Sequence, residues 1–264
     1  MATKAAPILE RILQSRRTAI AGLKNSGVEA GLPQSVAAAP APRDFRRALR
    51  QTDRVTLIAE CKERSPSGGV LQRAYDPVRL AQRYAAGGAA AISVLTEPEF
   101  FGGSLDHLQA VRAAVDVPVL CKDFIIDPIQ ILAARVVGAD AVLLIVGLLD
   151  DGALRELQAL ASRLSMQAVV EVHSEEELDR ALRADAGIIG INNRDLNRMK
   201  TDRQTTARLR PMIPAGPVVI SESGIESRAD VDELRRLGVD AVLVGESLLR
   251  AEDLDAKVRE LSGA

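Results

Sequence analysis

Eight short apolar runs recur about every 25 residues along this chain, and that spacing restricts its fold more than any other feature of the 264 residues. The runs are Val55 to Ala59, Ala90 to Leu95, Val117 to Leu120, Ala141 to Ile145, Gln167 to Val170, Gly187 to Ile191, Val218 to Ile220 and Ala241 to Val244. They are β-branched, too short for helices and nearly free of charge, as strands of a parallel sheet covered on both faces must be. Amphipathic stretches lie between them, among them Asp76 to Ala86, Leu105 to Val115, Pro128 to Val137, Glu175 to Leu182 and Arg228 to Leu237. The chain also echoes itself. Gly88-Ala-Ala-Ala-Ile-Ser-Val-Leu95 resembles Gly138-Ala-Asp-Ala-Val-Leu-Leu-Ile145, 50 residues on, and Gly238-Val-Asp-Ala-Val-Leu-Val-Gly245, a further 100 on, each with a Gly closing a helix before a strand. Eight such units closing on themselves predict an α/β fold, a (β/α)8 TIM barrel forming one domain over residues 1-264. An open doubly wound sheet would carry a GxGxxG fingerprint after the first strand, and Glu60-Cys-Lys-Glu-Arg-Ser-Pro-Ser-Gly-Gly69 does not match it.

Residues 1-50 stand outside this rhythm and are expected to form an N-terminal helical extension. Ile8, Leu9, Ile12, Leu13, Ile20 and Leu23 recur at helical spacing, which predicts one amphipathic helix from about residue 7 to 25. From Asn25 to Arg43 the composition turns to Gly, Ala, Ser and Pro, which reads as a connection.

Composition narrows the function. Thirty-four Lys and Arg against 36 Asp and Glu give a formal net charge of -2, and only four Phe and two Tyr are present, a poor endowment for nucleic-acid binding. The longest apolar stretch, Ala141 to Leu149, falls far short of the roughly 20 residues of a membrane span. Met1 to Arg17 lacks the features of a secretory signal, so a cytoplasmic protein is expected. Cys61 and Cys121 fit reduced thiols; His107 and His173 stand alone, without zinc-ligand spacing, so no metal or other cofactor is expected.

In a barrel of this kind the chemistry lies where strands end and βα loops begin. There the sequence places Glu60 and Lys62, Thr96 and Glu97, Lys122 and Asp123, Glu171 and His173, Asn192, Asn193 and Arg194, Glu222 and Ser223, and Gly245 and Ser247. Strand parity points Glu60 and Lys62 into the mouth and turns Cys61 and Cys121 outward as packing residues. A lysine amid apolar strand ends can have its pKa lowered toward the operating pH, which would make it a competent general acid, but the sequence does not fix the pKa of either lysine. Ser223-Gly224-Ile225 and Gly245-Glu246-Ser247 put Gly before the last two helices, the usual barrel phosphate site. Ser65-Pro66-Ser67-Gly68-Gly69 is suited to close over a ligand or to serve as a flexible turn.

The strings at these strand ends resemble one family. Ala59-Glu-Cys-Lys-Glu-Arg-Ser-Pro-Ser-Gly68, Ser93-Val-Leu-Thr-Glu97, Cys121-Lys-Asp-Phe-Ile125, Val170-Glu-Val-His173, Gly190-Ile-Asn-Asn-Arg-Asp-Leu196 and Ile220-Ser-Glu-Ser-Gly-Ile225 resemble indole-3-glycerol phosphate synthase, in order and across about residues 7 to 260. Glu63 departs from it, standing where the family often carries a basic residue. The resemblance implies a carboxy-lyase of tryptophan biosynthesis that closes 1-(2-carboxyphenylamino)-1-deoxyribulose 5-phosphate to indole-3-glycerol phosphate, losing carbon dioxide and water. It implies Lys122 as general acid on the ketone oxygen and Lys62 as partner of the substrate carboxylate. Glu171 would stabilise the cationic ring or handle protons in dehydration, Glu60 and Asn192 would position these groups, and Glu222 and Ser223 would complete the far wall. Arg194 would bind the carboxylate or brace its loop, Ser65, Gly224, Gly245 and Ser247 would hold phosphate, and Phe100 and Phe101 would cover the ring or form a hydrophobic lid contact. The extension would cover the barrel mouth, and His173 would act from behind the reacting groups. A monomer acting on this phosphorylated small molecule is expected. A Schiff-base enzyme working through Lys122, and a barrel that binds a phosphorylated metabolite without turning it over, are the rival readings.

Overall fold

The computed structural model describes residues 8–25, 27–51, 53–66, 68–72, 74–195 and 200–264. Eight parallel strands close into a barrel: β1 Thr56–Cys61, β2 Ala91–Leu95, β3 Val119–Lys122, β4 Ala141–Ile145, β5 Gln167–Val172, β6 Ile188–Asn192, β7 Val218–Glu222 and β8 Ala241–Val244. β1 pairs with both β2 and β8, with Ile58 opposite Ala91 and Thr56 opposite Ala241, which removes every sheet edge. All eight predicted runs are strands, but five of them run on by two or one residues to take in Glu60, Lys122, Glu171, Asn192 and Glu222. A strand read from apolar residues stops at its first charge; the backbone ladder does not, because its hydrogen bonds are indifferent to the side chain.

Parity sorts the side chains into two cores. Ile58, Leu120, Leu143, Val169 and Ile220 fill the barrel, while Leu57, Val94, Val142, Val170 and Val242 pack beneath the helices. Cys61 and Cys121 are buried in the outer core. Burial pushes both thiols up, Cys121 to about 12, so they are inert at neutral pH. Seven outer helices start at an Asp or Ser N-cap that accepts a backbone N–H: Asp76, Ser104, Asp127, Asp150, Ser174, Ser227 and Asp253. Each cap stabilises its helix by about 1 kcal/mol and fixes where the preceding loop must stop.

The sequence echo has a structural basis. Asp140 Oδ2 accepts from Val119 N (2.7 Å) while its own N donates to Val119 O, and Asp240 repeats this with Val219 (2.8 Å). Gly138 and Gly238 both take a left-handed turn, at φ 90° and 82°, before these aspartates.

The N-terminal segment divides. Helix α1 (Ile8–Asn25) lies against the C-terminal mouth: Ile12 joins the interior cluster beside Phe124, and Arg16 pairs with Asp123 at 3.1 Å. Residues 32–38, expected to be a connection, form helix α2 (Leu32–Ala38), because Pro33 starts a turn that an Ala-rich run continues. The chain then passes to the opposite end. Arg43 N donates to Asp140 Oδ1, Phe45 N to Gln167 Oε1, and Arg46 and Arg50 to Gly216 O. Phe45 and Leu49 of α3 (Phe45–Leu49) are fully buried under the N-terminal strand ends. Residues 1-50 are therefore not one cover over the mouth: an open barrel has two apolar ends, and the segment supplies side chains to both. Residues 1 to 7, including the start of the predicted helix, lie outside the described residues.

Candidate active site

The mouth of the barrel is a cavity of about 760 Å³, a volume typical of small-ligand sites. Glu60, Lys62, Lys122, Glu171, Asn192 and Glu222 line its floor, Leu95, Phe101, Phe124, Leu143 and Ile145 one wall, and Ser223, Gly224, Gly245 and Ser247 the other. Ser65 and Arg194 also border this space, whereas Thr96, Glu97, Asn193 and His173 do not. Nor does Phe100; it lies under Arg11, 5.3 Å from guanidinium to ring centroid, and ties its loop to α1. Glu97 and Asp123 have other duties. Glu97 caps the turn Pro98–Phe101, accepting from three backbone N–H groups, and Asp123 takes Thr96 Oγ1 (2.6 Å) and Arg16.

Lys122 is the hub of the floor. Its Nζ is 3.3 Å from Glu171 Oε2 and 3.9 Å from Glu222 Oε2. Burial works to lower its pKa, as expected for a lysine at an apolar strand end, but Glu171, Glu222 and Glu60 outweigh burial and raise it. The lysine pKa, which the sequence left open, is thus decided by carboxyl groups from three other strands, which favour the proton on Lys122. Glu171 and Glu222 are driven apart. Burial disfavours both anions, but Lys122 and His173 hold Glu171 below the usual carboxylate range, while Glu222, facing ionised Glu171, is pushed up. The two carboxyls beside one lysine are therefore shifted in opposite directions.

Lys62 Nζ pairs with Glu60 Oε1 at 2.7 Å. Asn192 Oδ1 accepts from Ser223 Oγ (2.9 Å) and from Arg194 N (3.0 Å). These contacts, with Asn193 Nδ2 donating to Ser223 O, hold Ser223 at φ 69°, a conformation uncommon outside Gly. Gly224 follows at φ 80°, so two successive left-handed residues open a concave run of backbone at the loop. Ser247 Oγ donates to Ile225 O and joins this loop to the next, while Arg194 reaches Thr201 and Glu246. Ser65 Oγ accepts from Gly68 N beside a short hairpin whose strands, Arg64–Ser65 and Gly69–Val70, are two residues each; Ser67 and Leu196, at the edges of the family strings, lie outside the described residues.

Sequence reasoning missed several contributors. Phe124 faces Phe101, ring centroids 5.9 Å apart, and is the larger part of the aromatic wall. Gly190 and Gly245 make room for carboxylates: a Cβ would come within 2.4 Å of Glu222 Oε1 at Gly190 and within 2.7 Å of Glu60 Oε1 at Gly245. For Gly190 a Gly inside an apolar strand was the available signal; Gly245, expected at the phosphate site, follows its strand as the N-cap of the next helix. Arg203, Arg250 and Lys257 also border the cavity, on the side of Gly224.

A closed (β/α)8 barrel whose mouth sets a lysine between two buried carboxyls of oppositely shifted pKa defines an enzyme of acid–base chemistry. The family model for indole-3-glycerol phosphate synthase matches residues 9–261. The chain belongs to the indole-3-glycerol phosphate synthase family, carboxy-lyases of tryptophan biosynthesis. It is 50% identical to the indole-3-glycerol phosphate synthase of Roseiflexus sp. (strain RS-1), over 97% of this chain and 98% of that one. It is 46% identical to that of Desulforamulus reducens, over 96% of each. Among solved structures, 3-hexulose-6-phosphate synthase from Salmonella typhimurium is similar in fold alone, with TM-score 0.62, 17% identity, and 79% of this chain and 97% of that one covered.

Proposed function

We propose that this cavity carries out the family reaction on 1-(2-carboxyphenylamino)-1-deoxyribulose 5-phosphate with Lys122 as the general acid. The ring carbon bearing the carboxylate attacks the ketone, and the carbonyl oxygen takes a proton from Lys122 Nζ as the new carbon–carbon bond forms. Loss of carbon dioxide returns its electron pair to the ring. The new hydroxyl then takes up a proton and leaves as water, and the adjacent ring carbon, the former methylene, loses a proton to form the indole double bond while the nitrogen keeps its hydrogen.

The carrying observation is the placement of Lys122 Nζ between Glu171 and Glu222 on the floor of an apolar-walled cavity. A protonated amine there can deliver its proton, and the ionised Glu171 beside it can stabilise the cationic ring and accept the proton lost in dehydration. Lys62 pairs with the substrate carboxylate and holds the ring against the ketone, with Glu60 steering its ammonium. Phe101 and Phe124 cover the ring. Phosphate sits over Gly224, Gly245, Ser247 and Ser65. The left-handed pair Ser223 and Gly224 supports this, as does the helix start at Glu246, whose N-cap Gly245 offers no side chain to its N–H groups. Arg194 braces the sixth loop on Glu246. The catalyst is proposed to act as a monomer, and among the described residues no helix is long and apolar enough to cross a membrane.

The test is addition of the substrate to purified protein, following indole fluorescence. Turnover is expected, and Lys122→Ala should lower kcat by at least about 100-fold. No turnover by the wild type would overturn the assignment. Covalent trapping of Lys122 by borohydride in the presence of substrate would favour a Schiff-base mechanism instead.

A further inference from the structure

Glu171 is fully buried, yet only one of its oxygens faces Lys122. The other, Oε1, faces His173 Nε2 at 3.3 Å, a charge contact outside hydrogen-bond alignment. The opposite ring nitrogen, His173 Nδ1, is 3.1 Å from Glu177 Oε2, and the same oxygen accepts from His173 N at 2.7 Å. Glu177 is itself seated tightly: a Cβ at Gly147 would fall 2.7 Å from its Oε1. We propose that His173 is a positioning residue for the synthase reaction, an imidazolium bridge between Glu177 and Glu171 that holds the Glu171 carboxylate in place beside Lys122.

The geometry asks for charge on the ring. Both nitrogens face carboxylate oxygens, and only the imidazolium has a proton for each. Burial opposes that charge, but Glu171 and Glu177 overcome it and raise the ring pKa to about 10. A smaller cavity beside the main one brings Lys200 and Arg208 to the same side, with Asp195 and Asp202 among its walls. Of the groups around the ring, Glu171 and Glu177 are the ones in contact with it. With the bridge in place Glu171 has a cation on each side, so it stays ionised and its rotamer is fixed from both ends. Without it, Lys122 would be the one cation holding Glu171.

The inference rests on the role proposed for Glu171, so two readouts are needed. In the unmodified enzyme, 15N NMR of the ring nitrogens, with His107→Gln to assign the two histidines, should show the His173 ring as imidazolium through pH 8; a midpoint near the ordinary 6.5 overturns the bridge whether or not the enzyme turns over. In turnover, His173→Gln should lower kcat about tenfold with KM changed less than about twofold, and should move the acidic limb of the kcat profile up by about one pH unit. Glu177→Gln should shift the limb the same way by a smaller amount, and serves alone if His173→Gln does not fold. A loss of rate in these variants with the acidic limb unmoved overturns the positioning role.

Discussion

The corners of the barrel at β3–β4 and β7–β8 are built alike and filled with opposite chemistry. At an offset of 100 residues, Lys122 stands against Glu222, Asp123 against Ser223 and Phe124 against Gly224. The backbone devices around them match: capping boxes at Asp127 and Ser227, left-handed Gly138 and Gly238, and Asp140 and Asp240 stitching each strand pair. One corner presents a lysine of raised pKa and an aromatic wall, the other a carboxyl whose pKa is pushed up and a loop with positive-φ backbone. The same scaffold thus serves the reacting ring on one side and, in the reading proposed above, the phosphate on the other. Side chains at three equivalent positions make the difference.

Four perturbations would break or sharpen this comparison. The largest effect is expected from exchanging the two strand-end charges, Lys122→Glu with Glu222→Lys. The site keeps its net charge, yet kcat should fall at least about 100-fold in the indole fluorescence assay, because the proton donor then stands at the wrong corner. Retained activity would show the corners to be interchangeable.

The stitching aspartates come next. Asp140 is fully buried and holds Val119 N, Arg43 N and Arg112, whereas Asp240 is half-buried and holds Val219 N. Asp140→Ala should cost about 3 kcal/mol in urea unfolding, since it leaves a half-buried arginine and two N–H groups without their carboxylate, against about 1 kcal/mol for Asp240→Ala. Equal losses would mean that the N-terminal segment adds nothing at the first corner.

Gly224→Phe copies the first corner onto the second. A Cβ there meets Thr201 at 2.8 Å and the backbone sits at φ 80°, so the loop must move. KM should rise about 30-fold, roughly 2 kcal/mol, with a smaller change in kcat; an unchanged KM would remove Gly224 from the phosphate site.

The smallest effect concerns Glu222. Its pKa is higher in the folded protein than in the unfolded chain, so its stabilising contribution is complete below the ordinary glutamate value and is lost as pH rises through the raised one. Glu222→Gln carries no such penalty. Its thermal midpoint relative to wild type should therefore climb between pH 5 and pH 9, by a few degrees at most. A constant difference would mean that Glu222 is ionised throughout and that the two corners differ less in charge than described.

The site was legible to different depths. Glu60, Lys122, Glu171, Asn192 and Glu222 were readable because each follows an apolar run, and a barrel interior needs no ionisable group there. Phe124 was not singled out, because in the string Lys-Asp-Phe-Ile it looks like the start of the next apolar stretch. Gly190 and Gly245 were readable as small residues but not as the space for Glu222 and Glu60, since the carboxylates that fill them come from other strands. The partition of residues 1-50 between the two barrel ends was likewise hidden. A helical pattern says that one face must be covered, not by what.

By itself the sequence determined the repeat of strand and helix, the closure into eight units, and which side chains of each strand turn inward. All of these follow from local periods of about 25, 3.6 and 2 residues. The tertiary structure alone decided the charge states at the mouth. The proton stays on Lys122 because Glu171 and Glu222, 49 and 100 residues away, converge on it, and Glu222 is pushed toward its neutral form because Glu171 is the neighbour already ionised. Coulomb energy depends on distance through space and on burial, and neither can be counted along the chain.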